Sequence, residues 1–291
     1  MQAMGRGVAN VPGAGVGTPS GRMPVVFVGH GSPENAGAAN DFNRAWKQLG
    51  RDLPRPRLIL SLSAHWIIHE GTAVTAMSRP KTIHDFYGFP EELYAIEYDA
   101  PGSPEDAALV RRIVRSIRVD PDLEWGLDHG TWSVLRHMYP DADIPVLQLS
   151  LNYSHSPPLH YRIGQELSVL RDQGVLIIGS GNLVHNLGMM RMDPEPYAWA
   201  TEFDRMVKAR ILARDHGPLV RFTGLTDAHL AHPTSEHYLP LLYILGAAGD
   251  DNPRFFNETI FAGSVSMRGV VFGEEPLPAR DASLPATHRE L

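Results

Sequence analysis

A chain of 291 residues, 43% hydrophobic and 20% charged, carries enough apolar mass for one large core, and its short connections favour a single α/β domain over two small ones. A formal net charge of -7, with no basic cluster longer than RRIVRSIR at 111–118, argues against nucleic acid or an anionic membrane surface as partner. There is no cysteine, which excludes disulfides, thiolate metal sites, iron–sulfur clusters and cysteine nucleophiles; any metal must be held by histidine and carboxylate.

Residues 1–22, MQAMGRGVANVPGAGVGTPSGR, are rich in Gly, Ala and Pro and lack the apolar run of a secretory signal. They read as a flexible leader, with Met23 as an alternative start. No apolar run approaches the ~20 residues of a membrane span, and a cytoplasmic location is expected. Short Val/Ile/Leu runs at 25–28, 58–62, 146–151 and 175–178, bounded by Gly, Pro or polar residues and without clean alternation, predict strands buried on both faces. Between them, 34–50 places Phe42, Trp46 and Leu49 at helical spacing. Residues 104–118 open with Ser103 as N-cap, Pro104 at the first position and Glu105 and Asp106 in the first turn, and RRIVRSIR reads as the solvated face of that helix. Segments 157–172 and 196–213 also read as helices. A further apolar helix starts near His237, with Thr234 or Ser235 as cap. The stretch TIFAGSVSMRGVVFG, 259–273, reads as one or two strands, so part of the sheet is expected to be antiparallel. The fold class is therefore α/β: a single domain over 23–275, with a central, mostly parallel mixed sheet flanked by helices and a loose tail at 276–291.

Fourteen histidines are present, and their placement says more than their number. His30 in GHGSP follows the strand at 25–28, His65 in SAHW the strand at 58–62, and His185 in GSGNLVHN the strand at 175–178. Ligands in open α/β sheets bind at the carboxyl ends of strands, so these three are expected to meet at one edge. His129 in DHGTW is placed in a loop before the strand at 146, and His237 at the start of the apolar helix. His84 in KTIHDFYGFP lies in a loop dense in aromatic and polar groups, a substrate wall or simply a packed loop. His69, His137, His155, His160, His216, His229 and His288 show no such placement, and His232 is undecided. Other motifs fail their tests. GSGNLVHN lacks both the dinucleotide glycine pattern and a P-loop lysine, the serine of GHGSP is followed by proline, and no H-E-x-x-H or its inverse occurs.

Taken together and in order, GHGSP, SAHW, TIHDFYGFP, DHGTW, GSGNLVHN and PTSEHYLPLLY resemble the class III extradiol ring-cleavage dioxygenases, in their 4,5-DOPA dioxygenase branch, from about Pro24 to Gly273. The resemblance implies a non-haem Fe(II) enzyme that opens a catechol ring beside one hydroxyl with insertion of both atoms of O₂. It implies His30 and His65 as metal ligands, with His237 as the third and Glu236 as its rival. It implies His129 and His185 as the acid/base pair, with His185 also a ligand in a resting or zinc form. Iron that must hold a bidentate catecholate and O₂ has three positions left for protein, whereas Zn(II), bound more tightly by such nitrogen sites, has no redox change to offer and is expected as an occupant of purified protein. The particular catechol is left to loop side chains such as those near His84 and Tyr153, and nothing in the sequence marks an oligomeric interface. Two other classes compete: a tetrapyrrole metal chelatase, which explains His30 and little else, and a non-catalytic zinc-binding protein with a closed site.

Overall fold

The structure is a computed structural model and describes residues 21–193 and 195–273. Apart from residues 21 and 22 the expected leader, and all of the tail at 276–291, lie outside the described residues. The central sheet has six strands: β1 (Val25–Gly29), β2 (Leu58–Ser63), β3 (Val146–Gln148), β4 (Val175–Gly181), β5 (Pro253–Phe256) and β6 (Gly269–Phe272), in the order β3-β2-β4-β1-β6-β5. The first four of that order run parallel, and β6 is antiparallel to both of its neighbours. Every residue of β1, β2, β3 and β4 is buried, because helices cover both faces. Alternate residues divide between the two sides: Val25, Phe27, Leu58 and Leu60 enter one core, Val26, Val28 and Ile59 the other. On the second side lie α1 (Asp41–Asp52) and α3 (His129–Met138); on the first lie α2 (Pro104–Ile113), α4 (Pro157–Leu167), α5 (Ala198–Leu212) and α6 (Leu239–Ala248). Helix α6 is apolar on all sides and wholly buried, as a helix without a polar face must be.

Several boundaries depart from the sequence expectation. The helix expected from 34 begins only at Asp41, after a short 3-10 turn, because Asn40 and Asn43 form a reciprocal capping box that starts a new helix. Helix α2 stops at Ile113 rather than 118. The Glu166 carboxylate accepts the N–H groups of Arg115 and Ser116, so RRIVRSIR is half helix and half loop. The run at 146–151 breaks after Gln148, its last residues pairing with Ile67–Ile68 outside the main sheet. His129 is not in a loop but is the first residue of α3, which Asp128 caps through the Thr131 N–H. Neither Thr234 nor Ser235 caps α6 with its side chain; Thr234 Oγ1 donates to Glu236 instead. The 259–273 stretch forms the short pair Ile260–Phe261 and Val265–Ser266 followed by β6.

Strand β4 lies between β1 and β2, with Gly29 opposite Gly181 and Ser63 opposite Ser180. The three strands thus end level, and the segments leaving them start side by side. That register turns three positions remote in sequence into one edge.

Candidate metal centre

At that edge Gly31 turns the chain with φ +64°, a conformation that favours glycine, and His30 is held by its N–H to the Gly181 carbonyl at 3.1 Å. The His30 ring is 1% exposed. Its Nδ1 lies 3.0 Å from Ser180 Oγ, whose single proton is donated to the Gly130 carbonyl at 2.5 Å. Ser180 therefore accepts, Nδ1 of His30 carries the ring proton, and Nε2 keeps its lone pair. That Nε2 sits 3.0 Å from Nε2 of His65. The Nδ1 of His65 in turn faces Asp85 Oδ2 at 3.3 Å. Two imidazoles with nearly touching inner nitrogens, the outer nitrogen of one bonded to Ser180 and that of the other facing a carboxylate, are arranged to share one cation.

His237 reaches the same point from the far end of the chain. Its carbonyl accepts the Asn182 N–H at 2.9 Å, and a Cβ on Gly181 would stand 2.2 Å from that oxygen, so only glycine lets the 237 segment lie on the end of β4. Metal-binding atoms of His30, His65 and His237 all lie within 4.8 Å of one another. Nδ1 of His237 is 3.3 Å from Glu236 Oε1, which also accepts from Thr234 at 2.7 Å. The His185 ring stacks on His237 at 3.4 Å between centroids and 8° between planes, and Glu236 completes a second close group with these two. His129 stands 4.0 Å from His65 by ring centroids, its Nδ1 donating to Asp85 Oδ2 at 2.9 Å and its N–H to Asp85 Oδ1 at 2.8 Å. Burial, reinforced by the neighbouring imidazoles, holds His30 and His237 well below the ordinary histidine range; burial with His129 lowers His65 to about 3, and burial lowers His185 to about 4. Asp85 is lowered too, the hydrogen bond and charge of His129 overcoming a burial that would raise it. Neutral rings and an ionised carboxylate are the protonation states that a divalent cation requires.

All five histidines and Asp85 line one cavity of about 420 Å³. Its lining also includes the apolar side chains of Phe86, Phe89, Leu187, Met190, Phe261 and Val265, with Phe86 edge-on to the His129 ring at 5.6 Å between centroids. His84 is not among the lining residues: its Nε2 donates to the Ile96 carbonyl at 2.9 Å and its ring packs against Trp132. Tyr153 is exposed on the surface near His69, also away from the cavity. The sequence reading missed Asp85, the neighbour of the residue it picked. It also missed Phe261 and Val265, which it saw only as strand.

An α/β sheet that gathers five imidazoles and a carboxylate at the carboxyl edge of its parallel strands, beside a cavity of substrate size, has the make-up of a metal-dependent enzyme. Residues 23–273 match the sequence profile of the family described as "Catalytic LigB subunit of aromatic ring-opening dioxygenase". The chain is 47% identical over 261 residues to "4,5-DOPA dioxygenase extradiol" of Escherichia coli (strain K12), covering 87% of this chain and 96% of that one. It is 35% identical over 252 residues to the protein of the same description from Beta vulgaris, covering 84% and 93%. A crystal structure described as an uncharacterized protein, JW3007, from Escherichia coli K12 superposes with a TM-score of 0.77 at 43% identity, over 87% of this chain and 100% of that one. The chain belongs to the LigB family of class III extradiol dioxygenases. It is accordingly an extradiol ring-cleaving dioxygenase acting on a small aromatic molecule and O₂. The chelatase reading, which accounts for His30 alone, is set aside. Among the described residues no helix is long and apolar enough to cross a membrane.

Proposed function

We propose that the protein is a non-haem Fe(II) enzyme that opens the ring of a catechol beside one of its hydroxyls, with both atoms of O₂ entering the product. The observation that carries this reading is the 3.0 Å approach of Nε2 of His30 to Nε2 of His65, the outer nitrogen of His30 being bonded to Ser180 and that of His65 facing Asp85 at 3.3 Å, in the wall of a cavity wide enough for an aromatic diol. The donor set fits the metal. His30, His65 and His237 would hold it, with Glu236 orienting His237 through Nδ1 rather than binding. Bound Fe(II) supplies an accessible redox change, which Zn(II) in the same nitrogen set does not.

The chain's own groups then do the proton work and the positioning. His129, its Nδ1 proton held on Asp85, keeps Nε2 free to take a proton from a substrate hydroxyl and return it. His185, stacked on His237, is the second proton-handling ring and becomes a ligand only in a resting or zinc-bound form. Asp85 fixes the proton of His129 on Nδ1 and stands 3.3 Å from Nδ1 of His65, so one carboxylate faces a ligand and an acid/base residue together. Phe86, edge-on to the His129 ring, gives the proton-handling end an apolar neighbour that limits water there.

The test is anaerobic reconstitution with Fe(II), followed by oxygen uptake on adding DOPA, caffeate or protocatechuate. Stoichiometric uptake with a yellow ring-fission product is expected with Fe(II) and none with Zn(II). Absence of uptake from protein carrying one Fe(II) per chain would sink the proposal.

A further inference from the structure

The loop KTIHDFYGFP contributes Asp85, Phe86, Tyr87 and Phe89 to the lining of the cavity. Three of these are held. Asp85 accepts the backbone N–H and the Nδ1 proton of His129, Phe86 is buried edge-on to the His129 ring, and the Phe89 ring meets that of Phe86 at 5.4 Å between centroids. Tyr87 is not. It is 92% exposed, and among the described residues its side chain makes no hydrogen bond, ion pair or ring contact. A residue that lines a cavity and yet stands almost wholly in water marks the place where that cavity opens. Met192, the other large apolar side chain exposed to this degree, does not line it. At Gly88 the backbone turns with φ +78°, and a Cβ there would have no atom within 4 Å, so the tip of the loop stands clear of the rest of the fold.

A phenol ring left in water forgoes the burial and ring pairing that dominate aromatic energetics, and here the fold offers it no partner. A flat aromatic ligand in the cavity would. An exposed side chain changes rotamer quickly and without backbone movement, so Tyr87 can turn while Asp85 and Phe86 keep their places against His129. We propose that Tyr87 is a substrate-contacting residue: its ring folds onto the bound aromatic diol and covers the opening of the cavity. The contact is made by the ring face or edge and does not need the hydroxyl. This rests on the ring-opening reading above, which supplies the ligand, and it adds a residue that the reading does not use.

The experiment uses the full chain loaded with Zn(II), which binds a diol without turning it over, and titrates 4-methylcatechol into it anaerobically by calorimetry. Tyr87→Ala should weaken binding about tenfold and Tyr87→Phe by no more than about twofold, with unchanged zinc content and melting temperature in both. In Tyr87→Trp the added indole should shift its emission to the blue on binding, read as the difference from the unsubstituted protein with its five native tryptophans. Full affinity in Tyr87→Ala, or an added indole whose emission does not move, overturns the assignment and leaves ring opening intact. Failure of the diol to bind the unsubstituted protein overturns it as well. Binding that behaves as expected, with no oxygen uptake once Fe(II) replaces Zn(II), upholds Tyr87 as a contact residue and sinks ring opening instead.

Discussion

Two sets of buried histidines can be laid side by side in this molecule. One stands at the carboxyl edge of the sheet; the other lies within the helical layer, where His160 of α4 meets the Tyr243 hydroxyl of α6 at 2.9 Å and His232 donates Nε2–H to the Leu183 carbonyl at 2.9 Å. Burial depresses both sets alike, His65 to about 3, His160 and His232 to about 4. Burial and low basicity therefore do not mark a working histidine. The second ring nitrogen does. Nε2 of His160 and Nδ1 of His232 are buried with no hydrogen-bond partner, and neither residue joins a cluster of three metal-binding groups among the described residues. In the edge set, His30 and His237 each bond one nitrogen to protein, His65 turns one toward Asp85 at 3.3 Å, and all three bring a metal-binding nitrogen within a few ångströms of the others'.

The sharpest break in this comparison is His30→Ala or His65→Ala. Bound metal should fall to near zero by elemental analysis and turnover by roughly a thousandfold or more. Next comes His129→Phe, and likewise His185→Ala: metal stays bound while kcat drops by ~10²–10⁴. Unchanged turnover in either variant would remove that residue from the proton work. Asp85→Asn ranks third. An amide oxygen can still accept the His129 backbone N–H, but its NH2 then faces Nδ1 of His129 and of His65 with a donor, and metal affinity or kcat should weaken by about 10–100-fold. A competition titration against a chelator, with kcat beside it, separates the His65 effect from the His129 effect.

The smallest effect belongs to the other set. His160→Phe should leave metal content and turnover unchanged and cost on the order of 1–3 kcal/mol at pH 7, because the Tyr243 hydroxyl loses its partner. It should also reduce acid sensitivity. The folded value of His160, about 4, lies below the ordinary 6.5, so as pH falls the unfolded chain takes up the proton first. The stability held by the neutral ring is full above 6.5 and is lost between there and about 4. Urea midpoints for the two proteins at pH 7 and pH 4.5 should therefore converge; parallel behaviour at the two values would show that His160 does not titrate as its burial demands.

Much of this arrangement could be read from the chain alone. Strand exits are legible because a Val/Ile/Leu run ending in glycine has little else to be, and His30, His65 and His185 each follow one. His129 and His237 were singled out by placement, in a loop and at a helix start, but drew their roles from the family resemblance, since such positions leave a weaker mark. Asp85 was hidden by its neighbour. Along an irregular, extended stretch successive side chains point to opposite sides, so the segment turns one of His84 and Asp85 to the cavity and the other to the interior. Choosing the histidine meant losing the carboxylate. The breaks at 113 and 148 were out of reach for a different reason: the groups that impose them, Glu166 and the pair at 67–68, come from distant segments.

The seat of the 237 segment on the end of β4, where glycine alone is tolerated, also orders events during synthesis. On the proposed ligand set the third imidazole comes from position 237, long after His30 and His65 in the chain, so that set is complete only once the segment leading into buried helix α6 has been made and has docked on the end of β4.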